Sequence, residues 1–71
     1  MNEKEELMQV LYDAIGEEGC GVSCEDATLF KDEDGWQMQL EGFMAPWKLG
    51  RTLAEAKASI REYARMGFGL T

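Results

Sequence analysis

The chain has 71 residues, with fourteen Asp and Glu against seven Lys and Arg, and carries a formal net charge of −7. A chain this short allows one domain with a modest core, since folding buries only about 60% of the surface that the unfolded chain exposes. The absence of histidine excludes Ser-His-Asp and Cys-His catalytic arrangements. Two cysteines alone cannot complete a four-ligand zinc site within one chain. We therefore expect no cofactor and no bound metal.

The charge is unevenly distributed along the chain. Residues 1–47 hold twelve acids and two bases, whereas residues 48–71 hold five bases and two acids. Such asymmetry within one small domain predicts a dipolar surface. Either the acidic and basic parts face each other, within one chain or across a dimer, or each part meets a different partner.

No segment approaches the run of about 18 apolar residues that a membrane span requires. The first six residues, MNEKEE, lack the basic and apolar regions of a signal peptide. We therefore expect a cytoplasmic location without membrane contact, where thiols are kept reduced.

Apolar residues near the start of the chain recur at helical spacing, at Leu7, Met8, Leu11, Tyr12 and Ile15. This pattern predicts an amphipathic helix over about residues 3–15. Asn2 is suited to the N-cap of this helix and Gly16 to its end. The ten residues from Gly16, GEEGCGVSCE, show no helical period and predict a loop.

Both cysteines lie in this loop. Cys20 and Cys24 have a C-x3-C spacing, which differs from the C-x-x-C of thioredoxin-like and zinc-knuckle motifs. No Lys, Arg or His lies nearby in sequence to favour a reactive thiolate. Extended backbone would place Cys20, Val22 and Cys24 on one side, where free cysteine packs as a small hydrophobe. We interpret both thiols as packing residues, and the alternative is an intramolecular disulfide or a metal that bridges a dimer.

The middle of the chain predicts antiparallel strands. TLFK at residues 28–31 predicts a first strand, and DEDG at residues 32–35 is typical of a tight hairpin with Gly35 at positive φ. Trp36, Met38 and Leu40 alternate with polar residues and predict a second strand with one buried face. The sequence does not decide whether residues 45–49 form a third strand. If they do, Pro46 would place that strand at a sheet edge.

The last element is predicted to be a helix. TLAE at residues 52–55 matches a capping box, in which the Thr hydroxyl and the Glu carboxylate each bind a backbone amide. An apolar stripe follows, and Gly67 is suited to the C-terminal end. Phe68 and Leu70 are expected to fold back on the domain.

This order of elements predicts a single α+β domain over residues 1–71. A helix, an antiparallel meander of two or three strands and a second helix follow one another, with both helices packed on one face of the sheet. The other face would carry polar side chains into water: Gln37, Gln39, Glu41 and Lys48. The order of elements is similar to that of double-stranded-RNA-binding domains, in topology only.

Residues 35–56, which end in TLAEA, resemble the hairpin and the T-L-x-E-A helix start of HicB-like antitoxin domains. The resemblance departs before the helix, where MAPW at residues 44–47 replaces the proline and glycine motif of those domains. A capping box produces the same letters, so the resemblance implies no function for this chain.

We expect a non-catalytic module, not an enzyme, that acts through contact with a protein of unknown identity, in a homodimer. The candidate contact residues are Phe43, Met44 and Trp47 around Pro46, since aromatic and Met side chains are enriched at protein interfaces. Core and edge packing is the alternative role for these side chains.

Two other functions stay open. The acidic N-terminal half could mimic nucleic-acid phosphates and occupy the basic site of a nucleic-acid-binding protein. The basic side chains Lys57, Arg61 and Arg65, spaced by four residues on the last helix, could instead contact nucleic acid. The net charge of −7 opposes that contact, so we expect no nucleic-acid partner and interpret these side chains as a solvated helix face.

Overall fold

Two helices lie against one face of a three-stranded antiparallel sheet in the computed structural model, which describes residues 2–19 and 23–69. The elements in chain order are helix α1 (Glu3–Glu18), a 3-10 turn (Cys24–Asp26), strands β1 (Ala27–Asp32), β2 (Gly35–Leu40) and β3 (Trp47–Gly50), helix α2 (Leu53–Arg65) and a second 3-10 turn (Gly67–Gly69). The strand order is β1-β2-β3. The predicted α+β meander is confirmed, with the third strand formed and both helices on the same face.

Helix α1 begins where the sequence predicts and ends later. The side-chain oxygen of Asn2 accepts a hydrogen bond from the Glu5 amide at 2.8 Å, which confirms the N-cap. The helix continues through Gly16 to Glu18 and ends at Gly19, whose φ is +66° and whose amide donates to the Ile15 carbonyl. The predicted end at Gly16 is therefore wrong. Glycine inside a helix costs only about 1 kcal/mol relative to alanine, and the left-handed conformation at Gly19 supplies the stop.

The predicted loop over residues 16–25 is shortened from both ends. Its first three residues belong to α1, and Cys24 begins the 3-10 turn. Cys24 has a free thiol and is half-buried against the core. Cys20 and Val22 lie outside the described residues, so their shared orientation with Cys24 stays a prediction.

The hairpin between β1 and β2 forms at the predicted turn. Gly35 has a φ of +106°, and the Asp32 carboxylate accepts from the Asp34 amide at 2.9 Å and from the Gln37 side chain. The register pairs Leu29 with Met38, so both side chains lie on the helix-facing side. The acidic hairpin thus uses its first carboxylate to hold the turn.

Strand β3 begins at Trp47, two residues later than predicted, with Pro46 just before it. It pairs with β2 through Met38 and Trp47 and through Gln37 and Lys48, with a bulge between Trp36 and Gln37 of β2. As predicted, β3 is an edge strand.

The core lies between the sheet and the two helices. Its most buried side chains come from every helix and strand, at Leu7, Leu11, Leu29, Met38, Leu40, Leu49, Ile60 and Phe68. Phe68 therefore folds back on the domain as predicted, whereas Leu70 lies outside the described residues. Trp36, at the start of β2, is buried as well.

The opposite face of the sheet is less hydrated than the sequence predicts. Gln37 is only 8% exposed because β2 is the central strand, where Phe30 and Lys48 flank it on either side. Its amide donates to the Asp32 carboxylate, which satisfies the buried polar group. Gln39 is half-buried, and only Lys48 and Glu41 are exposed as expected.

Helix α2 begins at a variant of the predicted capping box. The Thr52 hydroxyl accepts from the Glu55 amide at 3.1 Å, as expected. The Glu55 carboxylate accepts from the Arg51 amide at 3.0 Å instead of from the N-cap residue. The helix ends at Arg65 with Met66 as its C-cap, one residue before the predicted Gly67, whose φ is +67°. Within residues 2–19 and 23–69, neither helix is long and apolar enough to cross a membrane.

Candidate protein-binding surface

The connection between β2 and β3, residues 41–46, forms a tip at one end of the sheet. We call it the tip segment. Gly42 adopts a φ of +90°, and the Phe43 amide donates to the Leu40 carbonyl at 3.1 Å. The Gln39 side chain donates to the Phe43 carbonyl at 3.0 Å. These bonds fix the backbone on which the predicted contact residues lie.

Two predicted contact residues, Phe43 and Trp47, belong to an aromatic cluster. The Trp47 ring lies edge-on to three others, with centroid distances of 5.5 Å to Phe43, 4.7 Å to Tyr63 and 6.1 Å to Phe68. Such edge-to-face pairs contribute about 0.5–1.5 kcal/mol each beyond the area they bury. The Trp47 ring packs β3 onto Tyr63 of α2, and Phe43 and Trp47 are both half-buried.

Met44 differs from its aromatic neighbours because its side chain is fully exposed. Ala45 and Pro46, which follow it, are exposed as well. The structure therefore brings Phe43 and Trp47 together and leaves Met44 beside them in solvent. An exposed, flexible thioether next to aromatic edges is suited to contact with an apolar surface.

The three predicted basic residues do not join the tip segment. Arg61 lies about 160° around α2 from both Ser59 and Tyr63, since each residue advances the helix by about 100°. The hydroxyls of Ser59 and Tyr63 bind β3, so Arg61 lies on the side away from that strand. Lys57 is half-buried, and an Arg65 nitrogen lies 3.7 Å from a carboxylate oxygen of Glu62.

Most acidic residues of α1 are exposed, and none has a cation within 4.0 Å among the described residues. Within the part of the chain that the structure describes, the exposed pair of Arg65 and Glu62 is the one ion pair with atoms closer than 4.0 Å. Helices α1 and α2 pack together, yet their opposite charges form no such pair. The acidic surface of α1 is therefore available to a basic partner.

A groove beside α1 is a feature that the sequence interpretation missed. Two adjoining depressions share Tyr12 and Cys24 and are lined further by Met8 and Ile15. The Tyr12 side chain is 64% exposed, and Met8, Ile15 and Cys24 are half-buried. These apolar side chains form a surface between the helix and the first 3-10 turn.

The width of the apolar stripe on α1 was the sequence signal that could have predicted this groove. The core takes Leu7, Leu11 and Ala14, which lie within about 60° of one another around the helix. Met8 and Tyr12 extend the stripe to about 160°, beyond what a two-layer core covers on one side. A stripe that is wider than the buried face indicates a second apolar surface.

Comparison of the chain with models of protein families, with curated proteins and with solved structures finds no match. The resemblance of residues 35–56 to HicB-like antitoxin domains thus gains no support from these comparisons, and the surfaces described above are the basis for assigning a function.

Proposed function

We propose that this protein is a non-catalytic, cytoplasmic binding module that contacts a protein through the tip segment, as a homodimer. The observation that carries the proposal is the fully exposed Met44 beside the half-buried rings of Phe43 and Trp47. Met and aromatic side chains are enriched where protein surfaces meet. We expect a contact that covers Met44 to extend to Phe43 and Trp47.

The backbone of the tip segment is held before binding. Hydrogen bonds to the Phe43 amide and carbonyl fix its position, and the ring of Trp47 packs against Tyr63 and Phe68. Preorganisation of this kind lowers the entropy that is lost on association. The tip segment is therefore suited to act as a fixed anchor, with Met44 as the adaptable contact.

Photo-crosslinking tests this proposal. A photoreactive amino acid replaces Met44 in the full chain, and the matched control carries it at Ala54, which is exposed on α2. We expect a covalent protein adduct from position 44 and none from position 54 after irradiation in cells that produce the protein. An adduct of two copies supports the homodimer. Equal labelling from the two positions contradicts contact at the tip segment.

Sedimentation of the purified chain tests the homodimer separately. We expect a concentration-dependent dimer that Met44→Lys weakens and Ala54→Lys leaves unchanged. If the chain is a monomer at every concentration, the homodimer proposal is wrong. The crosslinking experiment alone then tests contact with a different protein.

A second candidate, an acidic mimic of nucleic acid, is favoured by the unpaired carboxylates of α1. Glu3, Glu5 and Asp13 are exposed and have no cation within 4.0 Å among the described residues. Competition with DNA for a basic DNA-binding protein tests this candidate. We expect competition to disappear when the three carboxylates become amides, if mimicry is the function. Unchanged competition by this variant contradicts the candidate.

A further inference from the structure

We propose that the groove beside α1 binds a basic amphipathic helix of a partner protein. The groove is separate from the tip segment and goes beyond the function proposed above. Its lining combines apolar side chains, Met8, Tyr12, Ile15 and Cys24, with the charged residues Lys4 and Glu5 at one end.

The length and spacing of the groove fit a helix. Its lining on α1 extends from Lys4 to Gly16, which corresponds to about 18 Å at 1.5 Å per residue, or about three helical turns. Met8, Tyr12 and Ile15 follow one another at i, i+4 and i+7. A partner helix with apolar residues at the same spacing can pack its ridge beside them.

The charge around the groove selects a basic partner. Glu5 lines the groove beside Lys4, and Glu25 and Asp26 directly follow Cys24 in the 3-10 turn, so the charge at the groove is acidic on balance. Glu3, Glu6, Asp13 and Glu17 lie at least about 100° around α1 from Met8, Tyr12 and Ile15 and do not border the groove. None of the three carboxylates at the groove lies within 4.0 Å of a cation among the residues that the structure describes. Lysine or arginine side chains on the polar face of a bound helix would meet this uncompensated charge, which steers and orients association.

A second copy of this chain does not fit the groove. Two copies joined at this surface would bring together Glu5, Glu25 and Asp26 of each chain, which makes six acidic residues against the two copies of Lys4. Helix α2 carries the basic residues, but its apolar side chains Ala56, Ile60 and Ala64 are buried in its own core. This chain therefore offers no free basic amphipathic helix among its described residues, and the partner is a different protein.

Titration of the full chain with a designed peptide tests the inference. The probe is a three-turn peptide of leucine and lysine, with leucine at i, i+3, i+4 and i+7, followed by NMR and calorimetry. We expect saturable one-to-one binding and amide shifts centred on Met8, Tyr12, Ile15 and Cys24. Tyr12→Lys should weaken binding by roughly tenfold or more, the loss typical of a contact residue at the centre of an interface.

Met66→Lys is the matched control because it makes the same charge change at an exposed apolar residue outside both the groove and the tip segment. We expect this variant to bind the peptide as the parent chain does. Tyr12→Gln repeats the test without added charge, and circular dichroism verifies that each variant is folded.

Three outcomes overturn the inference. Equal binding of a scrambled peptide of the same composition shows that charge alone drives association. Equal binding of a leucine and glutamate peptide shows that the acidic groove does not select a basic partner. Self-association that Tyr12→Lys abolishes and Met66→Lys preserves assigns the groove to a second copy. Failure of the crosslink at position 44 affects none of these results, since that test concerns the tip segment.

Discussion

Two glycines lie where the backbone leaves no room for a side chain. A Cβ at Gly35 would lie 2.5 Å from the Gly50 carbonyl oxygen, and a Cβ at Gly50 would lie 2.6 Å from the Cβ of Glu55. Both glycines also have a positive φ, +106° and +132°. The neighbouring atoms belong to the backbone or to the base of a side chain, so a change of rotamer does not relieve the contact. These residues allow β2, β3 and the start of α2 to approach one another.

We predict that Gly50→Ala lowers the free energy of unfolding by about 2 kcal/mol or more, since it combines a strained φ with a clash. Urea denaturation of the variant and the parent chain measures the difference. The loss should come with weaker capping of α2, because the added methyl group displaces Glu55 from the Arg51 amide.

Two other glycines separate the cost of the strained φ from the cost of the clash. Gly42 has a φ of +90° with no atom within 4 Å of the position that a Cβ would take, so Gly42→Ala should cost only the strain of about 1 kcal/mol. Gly16 is helical and also has open space around it, so Gly16→Ala should stabilise the protein by about 0.5–1 kcal/mol. A cost at Gly50 no greater than that at Gly42 would show that the close approach to Glu55 is unimportant.

At the scale of the elements, two side-chain hydroxyls of α2 form hydrogen bonds with β3. The Ser59 hydroxyl donates to the Leu49 carbonyl at 2.6 Å, and the Tyr63 hydroxyl donates to the Lys48 carbonyl at 2.8 Å. Both acceptors lie on an edge strand. These two hydrogen bonds therefore position β3 against α2.

We predict that Tyr63→Phe lowers the free energy of unfolding by about 1 kcal/mol, the net contribution of a hydrogen bond in a folded protein. Chemical denaturation measures the loss. Tyr12→Phe is the matched control because it removes the same hydroxyl from an exposed ring on the other helix, and its effect should stay within about 0.5 kcal/mol. Equal losses for the two variants would mean that the bond to the Lys48 carbonyl contributes nothing measurable.

At the scale of the whole molecule, the net charge of −7 acts on stability through repulsion. The single close ion pair among the described residues, Arg65 with Glu62, is exposed and contributes at most about 1 kcal/mol. Helix α1 also ends in Glu17 and Glu18 with no base in its last turn, so these carboxylates oppose the helix dipole. Repulsion between carboxylates therefore outweighs attraction.

We predict that the free energy of unfolding rises when sodium chloride is added, because salt screens this repulsion over about 10 Å or less at and above 0.1 M. Denaturation curves at low and high salt measure the rise. Glu18→Gln should raise stability at low salt by about 0.3–1 kcal/mol and reduce the salt effect. A stability that falls with salt would show that attractive charge pairs dominate.

The sequence by itself determined the kind and order of the two helices and the first two strands, because periodicity and capping are local properties. Alternation at Trp36, Met38 and Leu40 predicted β2, and Asn2 and Thr52 predicted the starts of the helices, as the structure shows. The local signal for the end of α1 was weaker. The sequence predicted an end at Gly16, and the left-handed conformation at Gly19 ends the helix instead.

Only the tertiary structure decided which side chains are covered, because exposure depends on how distant segments pack. Gln37 is buried because β2 is the central strand of the sheet. The alternation of apolar and polar residues along β2 had predicted that Gln37 lies on a hydrated face. The apolar stripe of α1 was visible in the sequence, but the packing of the helix on the sheet divided it into core and groove, leaving Tyr12 exposed. In the same way, packing left Met44 in solvent and held Trp47 within the aromatic cluster.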